Sequence, residues 1–354
     1  MTPRFHTLRI ADVRRETADS ISLCFDVPPE LASEYRFEPG QHLNLRARLD
    51  GEELRRSYSI CSGLDDGELR VAIKKVAGGR FSAWANDTLT AGATIDVMTP
   101  EGRFHSPRDA SRARHYVGFA AGSGITPILS LVKTILAREP RSRFTLIYGN
   151  RRQSSVMFHE ALEDLKDRYL TRFALYNVFS REEQEVGLFN GRIDAAKTRA
   201  FLDALVPADT IDAAFICGPA SMIDEVESAL LAAGVPPKRV HVERFGTPGT
   251  DAAPAPVVDA AEAHVTLVVD GLRREVEFHR EHGSILDAGV AAGLDLPFSC
   301  KGGMCCTCRA KLIEGEVKMR KNFALEPADL EAGFVLTCQS YPLTARVVLS
   351  YDDR

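Results

Sequence analysis

Four cysteines constrain this chain more than any other feature: Cys300, Cys305 and Cys308 in a C-x4-C-x2-C run, and Cys338 far beyond them. Two irons bridged by two sulfides each take two protein sulfurs, and soft thiolates supply the tetrahedral field that such irons favour. A C-x4-C-x2-C run with a distant fourth cysteine is the spacing that holds a 2Fe-2S cluster. Gly302 and Gly303 lie between the ligands, where a tight loop needs positive φ and N–H groups turned inward onto sulfur. Cys306 sits between two ligands and reads as a thiol facing away. A structural zinc site usually asks for a second C-x2-C or His-x3-5-His pair, which is missing. Nothing at the N-terminus resembles a signal peptide, so the eight cysteines are expected as reduced thiols in a cytoplasmic protein.

At 354 residues the chain is long enough for two or three domains, each burying its own core. No apolar run reaches the length of a membrane span. A net charge of −5 and a pI near 6.0 argue against a nucleic-acid partner.

Residues 1–108 read as six short strands: Phe5–Ile10, Ser20–Val27, Gln41–Leu49, Leu54–Cys61, Glu68–Val76 and Thr94–Met98. With Asp50-Gly51 as a hairpin turn, they suggest a small six-stranded antiparallel β-barrel. Arg56-Ser57-Tyr58-Ser59 lies on one strand, and Gly78-Gly79-Arg80-Phe81-Ser82 opens the region's one helix. The glycines let backbone approach a pyrophosphate, and the helix start presents free N–H groups to it. Arg56 can neutralise phosphate, Tyr58 can stack on a flat flavin, and the Ser59 hydroxyl can reach its reactive edge.

Residues 109–246 alternate strand and helix. Strands are expected at 115–120, Phe144–Tyr148, Phe173–Phe179 and Ala214–Cys217, with helices at Phe158–Arg168, Asp194–Leu205 and Ser221–Ala233. This is the pattern of an α/β doubly wound parallel sheet, whose ligands sit at the carboxyl ends of the strands. After the first strand comes Ala121-Gly122-Ser123-Gly124-Ile125-Thr126-Pro127. Gly122, Gly124 and Thr126 fall where a dinucleotide pyrophosphate meets a helix N-terminus. Cys217-Gly218-Pro219 ends a later strand, placed to touch a nicotinamide. Ser180-Arg181 ends the third strand, where a hydroxyl and a guanidinium suit a 2′-phosphate and so NADP; Arg151 and Arg152 can share that role.

Residues 247–262 are rich in Pro, Gly and Ala without periodicity and read as a linker. Residues 263–354 give a hairpin turning at Asp270-Gly271, a helix from Ser284 to Gly293, the cysteine loop and Cys338. From Ala263 onward 13 acidic residues face 11 basic ones, so composition predicts no charge for a docking partner.

Arg56-Ser57-Tyr58-Ser59, then Gly79-Arg80-Phe81-Ser82, then Pro100-Glu101-Gly102-Arg103-Phe104 resembles the flavin domain of the ferredoxin-NADP reductase superfamily. The resemblance implies FAD, although some relatives with a ferredoxin domain use FMN. It implies Arg56, Tyr58 and Ser59 at the flavin, Gly79 and Ser82 at its pyrophosphate, and Cys217 beside the hydride-transfer position. Glu243 and Phe245, in the segment closing the second domain, would fold back toward the flavin. The last domain is similar to the α+β β-grasp fold of plant-type ferredoxins. NADPH yields electrons as a hydride, a 2Fe-2S cluster takes them singly, and a flavin can do both. The expected function is an NADPH-dependent reductase serving an oxygenase subunit.

Lys318-Met319-Arg320-Lys321-Asn322-Phe323-Ala324-Leu325-Glu326, Gly333 to Pro342, and Tyr148-Gly149-Asn150-Arg151 with Ser154 to Phe158 resemble the reductase subunits of bacterial phenylacetyl-CoA epoxidases. That likeness implies a di-iron oxygenase that epoxidises the ring of phenylacetyl-CoA. Reductases of ring-hydroxylating and steroid-hydroxylating oxygenases share the architecture and stand as the alternative. A non-catalytic redox-sensing or electron-carrier module is the rival of another class.

Overall fold

The computed structural model describes residues 4–105, 107, 109–245 and 262–353. The expected linker, apart from Glu262, lies outside the described residues. Contacts divide the chain into two compact units. One holds Thr7–Leu54 with Tyr58–Phe245; the other holds the C-terminal residues from 262, with residues 4–6 and Arg55–Ser57.

The larger unit, apart from Phe5, His6 and Arg55–Ser57, begins with β1 (Phe5–Thr17), β2 (Ser20–Asp26), β3 (His42–Leu49), β4 (Glu52–Ser59), β5 (Leu69–Lys74) and β6 (Thr94–Met98). They form one six-stranded sheet in the order β4-β3-β6-β1-β2-β5. A bridge from Ile60 to Val71 and the Cys61 N–H bond to the Arg70 carbonyl at 2.9 Å return the end of β4 to β5 and close the barrel. Both central residues of the β3–β4 turn take positive φ, Asp50 at 52° and Gly51 at 82°, which matches the twist of a two-residue hairpin. Leu8, Ile10, Leu23, Leu43, Val71 and Val97 fill the interior. β1 runs seven residues past its expected end, with register shifts after Ile10 and Arg15. The charged stretch Asp12-Val13-Arg14-Arg15-Glu16 masks its alternation. Helix α1 (Arg80–Thr88) follows β5.

The same unit continues with β7 (His115–Ala121), β8 (Arg143–Asn150), β9 (Phe173–Phe179), β10 (Ala213–Gly218) and β11 (Val240–Arg244). All are parallel, in the order β11-β10-β7-β8-β9. The expected boundary at 108/109 falls between β6 and β7. Side chains alternate between two cores, as the two-residue period of a strand requires. Tyr116, Phe144, Leu146 and Phe215 face one core with α2 (Ile125–Arg138) and α3 (His159–Arg168). Val117, Phe119, Ile147 and Ile216 face the other with α4 (Ala195–Ala204) and α5 (Ala220–Ala232). Strand β11 is an addition to the expected set; its sequence pattern is only Val240 and Val242 after a Pro-Pro pair. Barrel and parallel sheet share a core: Phe104 meets Phe215 edge-on at 5.4 Å, and Ser130 donates to the Ser62 carbonyl at 2.6 Å.

In the other unit β12 (Glu262–Val269) and β13 (Leu272–His279) form the expected hairpin over Asp270 and Gly271, both at positive φ. Helix α6 (Ile285–Ala291) is capped by the Ser284 hydroxyl, which accepts from the Asp287 N–H at 3.1 Å. Beyond the cysteine loop come β14 (Arg309–Glu314), β15 (Val317–Met319), α7 (Pro327–Glu331), β16 (Phe334–Leu336), β17 (Ser340–Pro342) and β18 (Arg346–Ser350). The main sheet runs β13-β12-β18-β14-β16, and β15 pairs with β17. Parallel pairing of β12 with β18 beside antiparallel neighbours gives the mixed β-grasp sheet. No helix among the described residues is long and apolar enough to cross a membrane.

Candidate functional site

Three sites emerge from these elements. In the cysteine loop the sulfurs stand as two hydrogen-bonded pairs, Cys300 with Cys305 and Cys308 with Cys338. No three ligating side chains meet at a single point among the described residues. The hydrogen bond from Cys305 holds the Cys300 thiol below the ordinary thiol range. The Gly302 N–H points at Cys300 Sγ at 3.3 Å, and the N–H groups of Met304 and Cys305 join it. Cys338 Sγ receives the Gly303 N–H and, at 3.5 Å, the Gln339 side-chain amide. Sulfurs in pairs, with donors aimed at them, fit a cluster of thiolate-bound irons, whose negative charge such donors stabilise.

The loop's strain is distributed differently from the expectation. Gly303 takes φ +77°, but the other left-handed residues are Lys301 at 47° and Cys306 at 58°, not Gly302. Lys301 is held there from both ends. Its carbonyl accepts from Gln339 Nε2 at 2.8 Å and its ammonium meets Asp287 at 2.6 Å. Cys306 directs its thiol to the Ala324 carbonyl at 3.5 Å. Gln339 is a contributor outside the expected set, signalled in the sequence only by its place next to Cys338.

At the start of α1, Gly78 takes φ +71° with nothing within 4 Å of a would-be Cβ. Gly79 precedes the helix without a side-chain cap. The first-turn N–H groups therefore lack a capping oxygen and fit a pyrophosphate. The Ser82 hydroxyl accepts from the Val76 N–H at 3.1 Å and donates to the Gly79 carbonyl at 3.2 Å. It shapes this turn. The half-buried Tyr58 ring lies 5.8 Å from that of Phe81. Arg56, half-buried on β4, donates to the Arg55 carbonyl at 2.7 Å.

At the carboxyl edge of the parallel sheet, Gly122 takes φ +54° facing open space and α2 starts uncapped at Gly124. This fits a second pyrophosphate. Gly124 also serves packing, since a Cβ there would stand 2.1 Å from the Cys217 carbonyl oxygen. Thr126 is buried and its hydroxyl donates to the Ser123 carbonyl at 3.0 Å. Ser180 and Arg181 lie just past β9, exposed, their N–H groups bonded to the carbonyls of Asn150 and Arg151 at 3.0 and 2.9 Å. Arg151 and Arg181 are thereby neighbours at one strand end.

Ser59, Cys217 and Glu243, distant in sequence, come together. Cys217 on β10 sits in register with Glu243 on β11, and Ser59 Oγ lies 3.0 Å from a Glu243 oxygen. Burial pushes the Glu243 carboxyl up to about 8, with the Ser59 hydrogen bond pulling the other way. Burial and then the Glu243 carboxylate push the Cys217 thiol far up. A neutral acid, a hydroxyl and an unreactive thiol at neutral pH can hold a proton beside a ligand without presenting charge. Phe245 follows β11 and is 42% exposed.

Models of three families match in order: an oxidoreductase FAD-binding domain over residues 7–106, an oxidoreductase NAD-binding domain over 119–228, and a 2Fe-2S iron-sulfur cluster binding domain over 267–343. The chain is 48% identical to a subunit of the 1,2-phenylacetyl-CoA epoxidase of Escherichia coli K12, over 98% of both chains. It is 36% identical to the ferredoxin reductase component of 3-ketosteroid-9-alpha-monooxygenase from Mycolicibacterium smegmatis, over 98% of this chain and 97% of the other. Among solved structures, phthalate dioxygenase reductase matches with a TM-score of 0.60 at 26% identity, over 98% of each chain.

Proposed function

This chain belongs to the family of oxygenase reductase components that join FAD-binding, NAD-binding and 2Fe-2S domains in one polypeptide, and on that premise we propose that it carries electrons from NADPH to the di-iron oxygenase of a phenylacetyl-CoA epoxidase. The observation that supports this reading is the end-to-end likeness to the Escherichia coli epoxidase component. Bound FAD would supply the exchange between hydride pairs and single electrons, and a bound 2Fe-2S cluster the one-electron relay.

The chain's own residues divide the remaining work. Gly79 and the first turn of α1 take the flavin pyrophosphate, with Ser82 holding the turn, and Arg56 and Tyr58 belong to the flavin. Gly122 and the first turn of α2 take the NADPH pyrophosphate; Ser180 and Arg181, joined by Arg151, take the 2′-phosphate. The Cys217 end of β10 would face the nicotinamide, and Ser59 with the protonated Glu243 would keep a proton at the Glu243 carboxyl. Phe245 belongs beside them. Cys300, Cys305, Cys308 and Cys338 ligate the cluster.

The test is phenylacetyl-CoA-dependent NADPH oxidation in host extract depleted of this protein, before and after adding the purified chain back. Restored substrate dependence supports the route and the partner. NADPH oxidation with ferricyanide but no phenylacetyl-CoA dependence would overturn the partner, and the oxygenases served by the steroid-monooxygenase relatives would be tried next.

A further inference from the structure

Near-even charge in the last domain hides an uneven distribution. Lys318, Arg320 and Lys321 are exposed, and none forms an ion pair among the described residues. Two other cations near the cysteine loop are neutralised, Lys301 by Asp287 and Arg309 by Asp329. The nearest acids in the chain, Glu316 and Glu326, lie outside the stretch from 318 to 323.

That stretch is bonded to the cysteine loop at two points. The Arg320 N–H donates to the Gln339 carbonyl at 2.9 Å, and the Phe323 N–H donates to the Gly303 carbonyl at 3.0 Å. Gly303 and Gln339 both direct donors at Cys338 Sγ. Phe323 is therefore one hydrogen bond and one residue removed from a donor to a ligand sulfur, yet 52% of it is exposed. The backbone turn that carries it is tied down, because the Asn322 side chain accepts from the N–H groups of Ala324 and Leu325 at 3.2 and 2.8 Å and donates to the Leu325 carbonyl at 3.0 Å. An exposed aromatic ring on a hydrogen-bonded turn, amid cations without acidic partners, has the make-up of an interface anchor with a steering rim.

We infer that Lys318, Arg320, Lys321 and Phe323 form the surface on which the electron-accepting protein docks, and that the acceptor presents an apolar hollow rimmed by carboxylates. The inference rests on the proposed function only in naming that acceptor as the oxygenase subunit. One electron is lost by the reduced protein for each acceptor centre reduced by one.

The test uses the full holo-chain as wild type, R320E/K321E and F323A, each with flavin and cluster absorbance and NADPH-ferricyanide turnover verified. With the purified epoxidase oxygenase, charge reversal should lower kcat/KM about tenfold at low salt. That difference should vanish as salt shortens the screening length. F323A should raise the KM for the acceptor at every salt concentration. Stopped-flow reoxidation by two proteins of opposite charge gives a second arm: reversal should slow transfer to acidic plastocyanin and speed transfer to basic cytochrome c. Unchanged oxygenase kinetics in all variants would overturn the inference while leaving the proposed function standing. If wild type fails to couple to this oxygenase, the proposed function falls, and the second arm decides the inference: opposite responses of the two acceptors uphold it, equal responses overturn it.

Discussion

Gly122 and Gly124 belong to one G-x-G turn but are needed for different reasons, and substitution separates them. Gly124 has an ordinary helical backbone, φ −62°. Alanine there brings Cβ to 2.1 Å from the Cys217 oxygen, 2.4 Å from its carbon and 2.8 Å from the Gly218 nitrogen, where ordinary contact begins at 3.4 Å. The start of α2 or the end of β10 must retreat by about 1.3 Å, and both are buried: Ile125 and Cys217 are 0% exposed. Overpacking of this kind costs about 1–3 kcal/mol, which in a unit of this size lowers Tm by about 2–4 °C per kcal/mol. Displacement by about 1 Å at a positioning element costs up to about 100-fold in rate. Gly122 has no neighbour within 4 Å but takes φ +54°; alanine there costs about 1–2 kcal/mol of backbone strain, and asparagine, which tolerates that conformation, recovers most of it. G124A, G124N, G122A and G122N are compared by thermal unfolding and NADPH-ferricyanide kinetics. G124N should be worse than G124A, and G122N better than G122A. An unaltered Tm and KM in G124A would refute the close-approach argument.

Replacing Cys338 with serine should abolish the 2Fe-2S absorbance and transfer to protein acceptors, leaving ferricyanide reduction largely intact; equal loss of both activities counts against the relay order. If Arg181 takes the 2′-phosphate as proposed, Arg181→Ala removes a charge-assisted contact of about 1.5–3 kcal/mol, so the KM for NADPH should rise at least about tenfold while that for NADH barely moves. Glu243, with its pKa raised to about 8, should make the protein lose stability as pH rises from its unfolded carboxyl value, 4.5, through about 8, because the unfolded chain ionises first. In E243Q, Tm measured from pH 5 to 9 should lose that part of the slope; an identical slope would refute the shift.

Where local chemistry decides conformation, the sequence was readable. The two Asp-Gly hairpins carry their positive φ in their residue types, and the cysteine spacing names the metal group before any fold is known. Features set by distant neighbours were not readable in the same way. Gly124 read as room for phosphate, yet its lack of a Cβ answers to the Cys217 carbonyl, 93 residues away. Lys301 carries a left-handed turn expected of Gly302 because Gln339 and Asp287 hold it. Thr126, expected at a phosphate, has its hydroxyl satisfied by its own turn. Strands β14 to β18 are three to six residues long, too short for an alternating pattern to stand out from turns.

The parallel pairing of β12 with β18 sets an order of assembly. β18 is the last strand of its domain to leave the ribosome, yet it lies between β12 and β14 in the finished sheet. Vectorial synthesis thus delivers the middle of this sheet after its flanks, whereas every strand of the larger unit has by then been made and can fold as a unit. Cys300, Cys305, Cys308 and Cys338 all precede Arg346 in the chain, so the four ligand thiols are made before the strand that completes their scaffold, and a nascent chain stalled before Arg346 would hold them with no finished sheet to shelter them.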